Sequence, residues 1–179
     1  SLIMDPEMKL ELLRSHVEKV IVGDFLEVKD YSPRRYVEEV LIGRLNVDAV
    51  IVGNEWRFGL NRSGSHIDLE ELSEGRFTVH PQDQVRKKGE PVSSTWIRKA
   101  ISNGKIDLAS ELLGRYPSYG GKVGRGDQIG TDIGFPTANI AIDPRVGLPK
   151  SGNYAAFVGL RGEKLMAAVH VGERPSFDN

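Results

Sequence analysis

The sequence predicts two folds in succession: a parallel α/β sheet, then a small antiparallel β-barrel or sandwich. Three observations carry this. Up to about Gly114, short continuous apolar runs alternate with segments of helical periodicity, the pattern of strand–helix–strand units. Seven of the 20 glycines (Gly114, Gly120, Gly121, Gly124, Gly126, Gly130 and Gly134) then crowd into residues 114–134. Such crowding signals tight turns or backbone brought close to a ligand. Beyond them come short β segments and turns, with no helical periodicity of useful length.

In order along the chain, Asp5-Pro6 supplies an N-cap and a first-turn proline for a helix running to about His16. Val20-Ile21-Val22 is too brief for a helix and rich in β-branched residues, so it reads as a strand. Ser32-Pro33 repeats the helix-start signal, and Tyr36, Val37, Val40 and Leu41 fall on one face of the helix it opens. Ala49 to Gly53 is a continuous apolar strand of the kind covered on both faces in parallel sheets. A third strand is expected over Phe77 to His80. Helices come next over Ser94 to Asn103 and Asp107 to Leu113, separated by Asn103-Gly104. After the glycine cluster, Thr137 to Ile142 is a candidate strand. Asn153 to Leu160 and Lys164 to Val171 are strands joined by a hairpin turn at Arg161-Gly162-Glu163. The boundary falls near Gly114–Ser118, which divides the chain into residues 1–115 and 116–179 with no long linker.

Composition excludes several classes. The 24 Lys+Arg nearly balance the 25 Asp+Glu, which argues against a disordered acidic or basic tail protein. No apolar run approaches the roughly 20 residues that span a bilayer. The opening residues lack the basic and apolar regions of a signal peptide. With no cysteine there is no disulfide framework, thiolate catalysis or Cys-based zinc site. The expectation is a soluble, cytoplasmic protein.

Three segments carry candidate chemistry. Val92-Ser93-Ser94-Thr95-Trp96-Ile97-Arg98 places hydroxyl residues at a helix start. That is a capped helix, or, with Arg98 in the first turn, an anion site: N–H groups and the dipole there attract phosphate. Gly53 to Gly64 succeeds a strand, and ligands of open α/β sheets bind beyond the carboxyl ends of the strands. Its Trp56 and Phe58 suit stacking on a flat ring, while Asn54, Asn61 and the arginines suit polar edges or phosphates. The bland reading is a surface loop with its aromatics packed back on the sheet. Gly121 to Asn139 matches neither a Rossmann fingerprint nor a Walker A loop. It is a turn-rich barrel entrance or a nucleotide site, with Thr137 and Asn139 on one side of an extended segment. Their hard oxygens suit Mg²⁺ shared with substrate phosphates.

Taken in order, these segments resemble the bacterial bifunctional riboflavin kinase/FMN adenylyltransferase (FAD synthetase) family. Val52 to Gly59 with Arg62 and Gly64 is similar to the family's flavin-side loop. Val92 to Arg98 is similar to its adenylyltransferase phosphate motif. Gly134-Phe135-Pro136-Thr137-Ala138-Asn139, with upstream Gly126 and Gly130, is similar to the riboflavin kinase signature. Leu148-Pro149, Gly152, Tyr154 and Gly172 to Phe177 continue that pattern. The resemblance implies a nucleotidyltransferase-like, Rossmann-like parallel sheet succeeded by a riboflavin kinase-like barrel. It implies ATP phosphate contacts from Ser94, Thr95 and Arg98, and flavin contacts from Asn54, Arg57, Phe58 and Arg62. It further implies kinase ATP contacts from Gly126, Gly134, Pro136, Thr137 and Asn139, the last two also at Mg²⁺. Riboflavin, FMN and FAD enter as substrates and products, with neither nucleic acid nor membrane as partner.

Departures matter as well. The family's opening strand and His-x-Gly-His type loop have no match. His16 falls on a predicted helix and His66 in the loop after Gly64, both ordinary surface residues. The family's kinase base is a glutamate further downstream than Asn179, so no catalytic residue is assigned. Thr131 stands where arginine is common, Asn153 where an aliphatic is usual and Ser176 for threonine. The chain therefore reads as the middle of a longer enzyme, incompetent in adenylyl transfer by itself. Two rivals from another class remain: a non-catalytic flavin- or nucleotide-binding module, and an RNA-binding module. Against RNA, the net charge is −1 and Arg86-Lys87-Lys88 is the only tight basic cluster.

Overall fold

The structure, a computed structural model, describes residues 1–124 and 137–172. Contacts divide the chain into two compact units, Ser1–Val20 with Val92–Asn179, and Ile21–Pro91. The first helix, α1 (Pro6–Arg14), belongs to the former. Asp5 caps it, its carboxylate accepting from the Glu7 N–H at 2.8 Å, with Pro6 in the first turn. It stops short of the expected His16, which lies on a closing turn and is exposed.

Within Ile21–Pro91 the expected strand at Val20-Ile21-Val22 does not form. Ile21 and Val22 are 61% and 73% exposed, and no described strand pairs with them. A β-branched run becomes a strand only where an edge offers it hydrogen bonds. Two short helices come next, α2 (Phe25–Val28) and α3 (Pro33–Tyr36), the latter capped by Ser32, whose hydroxyl accepts from the Arg35 N–H. The chain then widens into a π-helix, Val37–Arg44, with the Leu45 N–H reaching back five residues to the Val40 carbonyl at 2.9 Å. Val37 and Leu41 stay on its inner face.

Strand β1 (Ala49–Gly53) pairs in parallel with β2 (Thr78–Gln82), one residue later than the expected start at Phe77. The helix α4 (His66–Ser73) lies between them in sequence. Val37, Leu41, Phe58, Leu69 and Phe77 form the core, with Val50, Val52 and Val79 packed against it. The expectation that β1 is covered on both faces does not hold among the described residues. Its side chains alternate, and outward Ile51 is 71% exposed. A two-residue turn with Lys88 and Gly89 at φ 50° and 83° closes the hairpin of β3 (Arg86–Lys87) and β4 (Glu90–Pro91).

Helix α4 was not expected from the sequence. Its N-terminus is a capping box: the Ser65 hydroxyl accepts from the Asp68 N–H, and the Asp68 carboxylate accepts from the Ser65 N–H at 2.8 Å. The Ser65 hydroxyl and then the Ser65 backbone hold the Asp68 carboxyl below its usual range. A group with a depressed native pKa stabilises the fold above its unfolded pKa, and that stability is lost as pH falls through the native pKa. In urea unfolding, Asp68→Asn is therefore expected to lower the midpoint at pH 7. The deficit against wild type should shrink as pH falls into and below the range where aspartate titrates.

The other unit resumes with α5 (Ser94–Ser102) and α6 (Ile106–Leu113), separated by Gly104 at φ 71°. Ile97, Ala100, Ile101, Ala109 and Leu112 pack into one core, with Ile3 and Val92 against it. Leu2 forms a parallel bridge with Val146. Strands β5 (Lys122–Gly124) and β6 (Asn139–Ala141) are antiparallel, as are β7 (Gly152–Leu160) and β8 (Glu163–Val171). Arg161 and Gly162 at φ 52° and 87° make the expected hairpin turn, both central residues having the positive φ such turns require. No helix among the described residues is long and apolar enough to cross a membrane.

Candidate functional site

The loop after β1 is built around Asn54. Parallel pairing sets Gly53 against Gln82, so Asn54 leaves the sheet beside the end of β2. The Asn54 N–H donates to the Gln82 carbonyl at 2.9 Å, and its Nδ2 donates to Asp83 Oδ1 at 2.5 Å. Its carbonyl accepts from His66 Nδ1 at 3.1 Å and from Arg57 Nη1 at 3.5 Å. Arg57 Nη1 also donates to the Trp56 carbonyl at 2.9 Å. One N–H of the Asn54 amide is thus committed to Asp83, and its oxygen and second N–H are left for a ligand edge.

The two aromatics of the loop divide their work. Phe58 is only 5% exposed and belongs to the core. Trp56 stacks on it with centroids 4.7 Å apart and planes at 11°, while Tyr36 meets Phe58 tilted at 5.6 Å. Trp56 is half-buried, so part of its side chain stays open to solvent. A reciprocal pair of hydrogen bonds joins Phe58 to Gly64. A side chain at Gly64 would meet the Phe58 ring at 2.7 Å. Arg57 and Arg62 are exposed, and Arg62 takes a left-handed φ of 58°. His66, expected in the loop and at the surface, instead opens α4 and is half-buried.

On α5 the cap is Ser93, whose hydroxyl accepts from the Trp96 N–H at 3.2 Å. Ser94 and Thr95 are the next two residues and are exposed. Counting from that cap, Arg98 is the fifth helical residue, in the second turn rather than the first. Its Nε is buried and has no hydrogen-bond partner among the described residues. The side chain lines a small cavity with Ser1, Leu2, Ser102 and Gly147.

The third segment is described at its ends. Gly126, Gly130, Thr131, Gly134 and Pro136 lie outside the described residues, as do residues 173–179. Antiparallel pairing of Gly124 with Asn139 sets the two ends of the glycine loop side by side. Thr137 and Asn139 are exposed at its return. Gly121 lies so close to β6 that a side chain there would overlap the Ala141 carbonyl. No cluster of three or more His, Cys, Asp or Glu suits a metal ion among the described residues.

The sequence pointed to Asn54, Arg57, Phe58 and Arg62, and the structure gathers them on one loop. It pointed to Ser94, Thr95 and Arg98, and they share one helix. Asp83 was missed, since only the β1–β2 register brings it to Asn54. Ser93 was legible as part of the hydroxyl run, but which hydroxyl caps the helix was not.

The described residues thus hold a parallel strand pair with a polar, aromatic-backed loop at its carboxyl end, and two antiparallel strand pairs further along the chain. The chain belongs to the FAD synthetase family, whose model matches residues 1–96. The riboflavin kinase family model matches residues 113–179, so the architecture is two-domain. A bifunctional riboflavin kinase/FMN adenylyltransferase of Listeria monocytogenes is 34% identical over 151 residues, covering 84% of this chain and 48% of that protein. One from Bacillus subtilis is 30% identical, covering 89% of this chain and 51% of its own length. One from Escherichia coli K12 is 34% identical, with 81% and 47% covered. The chain thus spans about half the length of these relatives. A crystal structure described as a macrolide-efflux protein from Streptococcus pneumoniae matches with a TM-score of 0.85 at 28% identity. It covers 98% of this chain and 57% of that one.

Proposed function

We propose that this chain is part of an enzyme of flavin cofactor synthesis. The enzyme moves the γ-phosphoryl of ATP to riboflavin, giving FMN, and transfers AMP from a second ATP to FMN, giving FAD and pyrophosphate. The observation that carries this is the succession of an FAD synthetase match and a riboflavin kinase match along one chain. Residues 1–115 serve adenylyl transfer and 116–179 serve the kinase. Among the described residues β5–β6 and β7–β8 are two separate antiparallel pairs; the reading of a barrel for the latter is supported by the riboflavin kinase match.

In this reading the outer face of Trp56 takes the flavin ring, backed by Phe58. The Asn54 amide oxygen meets a polar ring edge, and the cations of Arg57 and Arg62 attract the FMN phosphate. Ser94, Thr95 and Arg98 hold ATP phosphates. An anion would satisfy the buried Arg98 Nε that lacks a partner, and a buried donor left unpaired is costly. Thr137 and Asn139 offer neutral oxygens, which fit Mg²⁺ because that ion keeps waters and shares phosphates rather than filling a protein cage. When bound, Mg²⁺ offsets negative charge on the phosphates. Gly126, Gly134 and Pro136 contribute to the kinase ATP site in this reading. Phosphoryl transfer depends largely on such positioning, so few reactive side chains are needed.

Titration of FMN with the 179-residue chain tests this. Flavin fluorescence is expected to be quenched on binding. Trp56→Ala is expected to weaken binding about three- to tenfold, the worth of an aromatic stack. Absence of any flavin or ATP binding by the wild-type chain would sink the proposal.

A further inference from the structure

We infer that His66 is a positioning residue for the flavin-side loop. Its Nδ1–H holds the Asn54 carbonyl and so fixes how Trp56 and Arg57 are presented. The inference rests on the flavin reading of that loop, but the contact itself does not. The two residues are 12 apart in sequence and meet at 3.1 Å. A carbonyl only accepts, so the hydrogen must sit on Nδ1.

Three features make this more than a passing contact. First, Asn54 is held at every other point: its N–H by Gln82 and its side chain by Asp83. The carbonyl is the last degree of freedom, and Arg57, itself exposed, reaches it only at 3.5 Å. Second, His66 stands on a rigid base. It is the first residue of α4, whose start is locked by the Ser65–Asp68 capping box and whose Leu69 is fully buried. Third, the bond lies directly upstream of the residues that face a ligand. The Trp56 N–H donates to the Gly53 carbonyl at 2.8 Å, so the peptide that His66 holds lies inside the turn that aims the indole. A loop residue thereby takes its position from the core through a side chain rather than through the chain.

The test uses the full chain carrying Trp96→Phe, which leaves Trp56 as its one tryptophan. Acrylamide quenching of Trp56, FMN titration and thermal unfolding are compared for this parent and for His66→Ala, His66→Phe and His66→Gln. Removing the donor is expected to raise Trp56 quenching and to weaken FMN binding about two- to tenfold, the range of one net hydrogen bond. Gln, which keeps an N–H, should recover most of both. If His66→Ala does not fold, His66→Phe, which keeps a ring without the donor, decides the matter. A lowered melting temperature with unchanged quenching and FMN affinity would overturn the inference and leave His66 a structural residue. If the parent binds no FMN, the flavin reading fails by itself, while the quenching comparison still decides whether His66 sets the loop.

Discussion

Truncating Phe58 to alanine is expected to cost the Ile21–Pro91 unit about 3–5 kcal/mol, the usual range for deleting a buried phenylalanine. The ring is 5% exposed and touches two other aromatics of its unit, Trp56 and Tyr36. It also fills the space over Gly64, where a Cβ would stand 2.7 Å from it. Gly64 has no side chain to collapse into that gap, and its backbone is tied to Phe58 by two hydrogen bonds. Phe58→Leu keeps most of the volume and should cost much less, about 1–2 kcal/mol. Urea unfolding followed by Trp56 emission in the Trp96→Phe background measures both. A loss under about 1 kcal/mol for Phe58→Ala would mean the loop does not pack as described. The result bears on function too. Weaker flavin binding by Phe58→Ala would reflect the loss of Trp56's backing rather than a lost flavin contact.

That distinction shows where the sequence stops being informative. Trp56 and Phe58 are both aromatic and two residues apart, so alternation puts them on one side of an extended chain. Which one faces outward is decided by Tyr36 and by the absence of a side chain at Gly64, both fixed by the fold. Elements with local signals were legible. The β7–β8 hairpin is legible in its apolar-rich runs and Arg161-Gly162-Glu163, and α5 and α6 in the hydroxyl run and Asn103-Gly104. Elements that depend on partners were not. Val20-Ile21-Val22 has strand composition, but strand formation needs a neighbouring edge. The π-helix keeps Val37 and Leu41 inward at ordinary spacing, so periodicity alone cannot tell it from an α-helix. Helix α4 was hidden for another reason. Its Ser65–Asp68 box is a local signal, but it follows a glycine- and arginine-rich loop so closely that loop composition masks it. With Ser93 as the α5 cap, Arg98 falls in the second turn, where the dipole penalty for a cation fades. Arg98 consequently needs no anion to explain its presence there, and its buried Nε becomes the stronger reason to expect one.

Replacing Thr137 and Asn139 together with alanine is expected to weaken Mg-ATP binding by about one to two orders of magnitude, if they carry the metal–phosphate contacts of a kinase site. Asn139 is well placed for this because its backbone is fixed. It opens β6 opposite Gly124, and β5 approaches β6 so closely that only glycine fits at position 121. The amide is thus presented from a strand rather than from a free loop, at the point where the glycine loop returns. Thr137 stands two residues earlier, just outside β6, the spacing that in an extended chain shares one side. Neither side chain is charged, so neither holds a cation strongly by itself, and the affinity should appear only with nucleotide and metal together. Calorimetry can separate the parts. Wild type should bind ATP more tightly with Mg²⁺ than with chelator, and the double variant should lose that difference while keeping the chelator value. The single variants should fall between, and Asn139→Asp should retain metal-dependent binding because it keeps a side-chain oxygen. Unchanged Mg-ATP affinity in the double variant would remove these two residues from the site, since nothing else in their described surroundings gives them a structural duty.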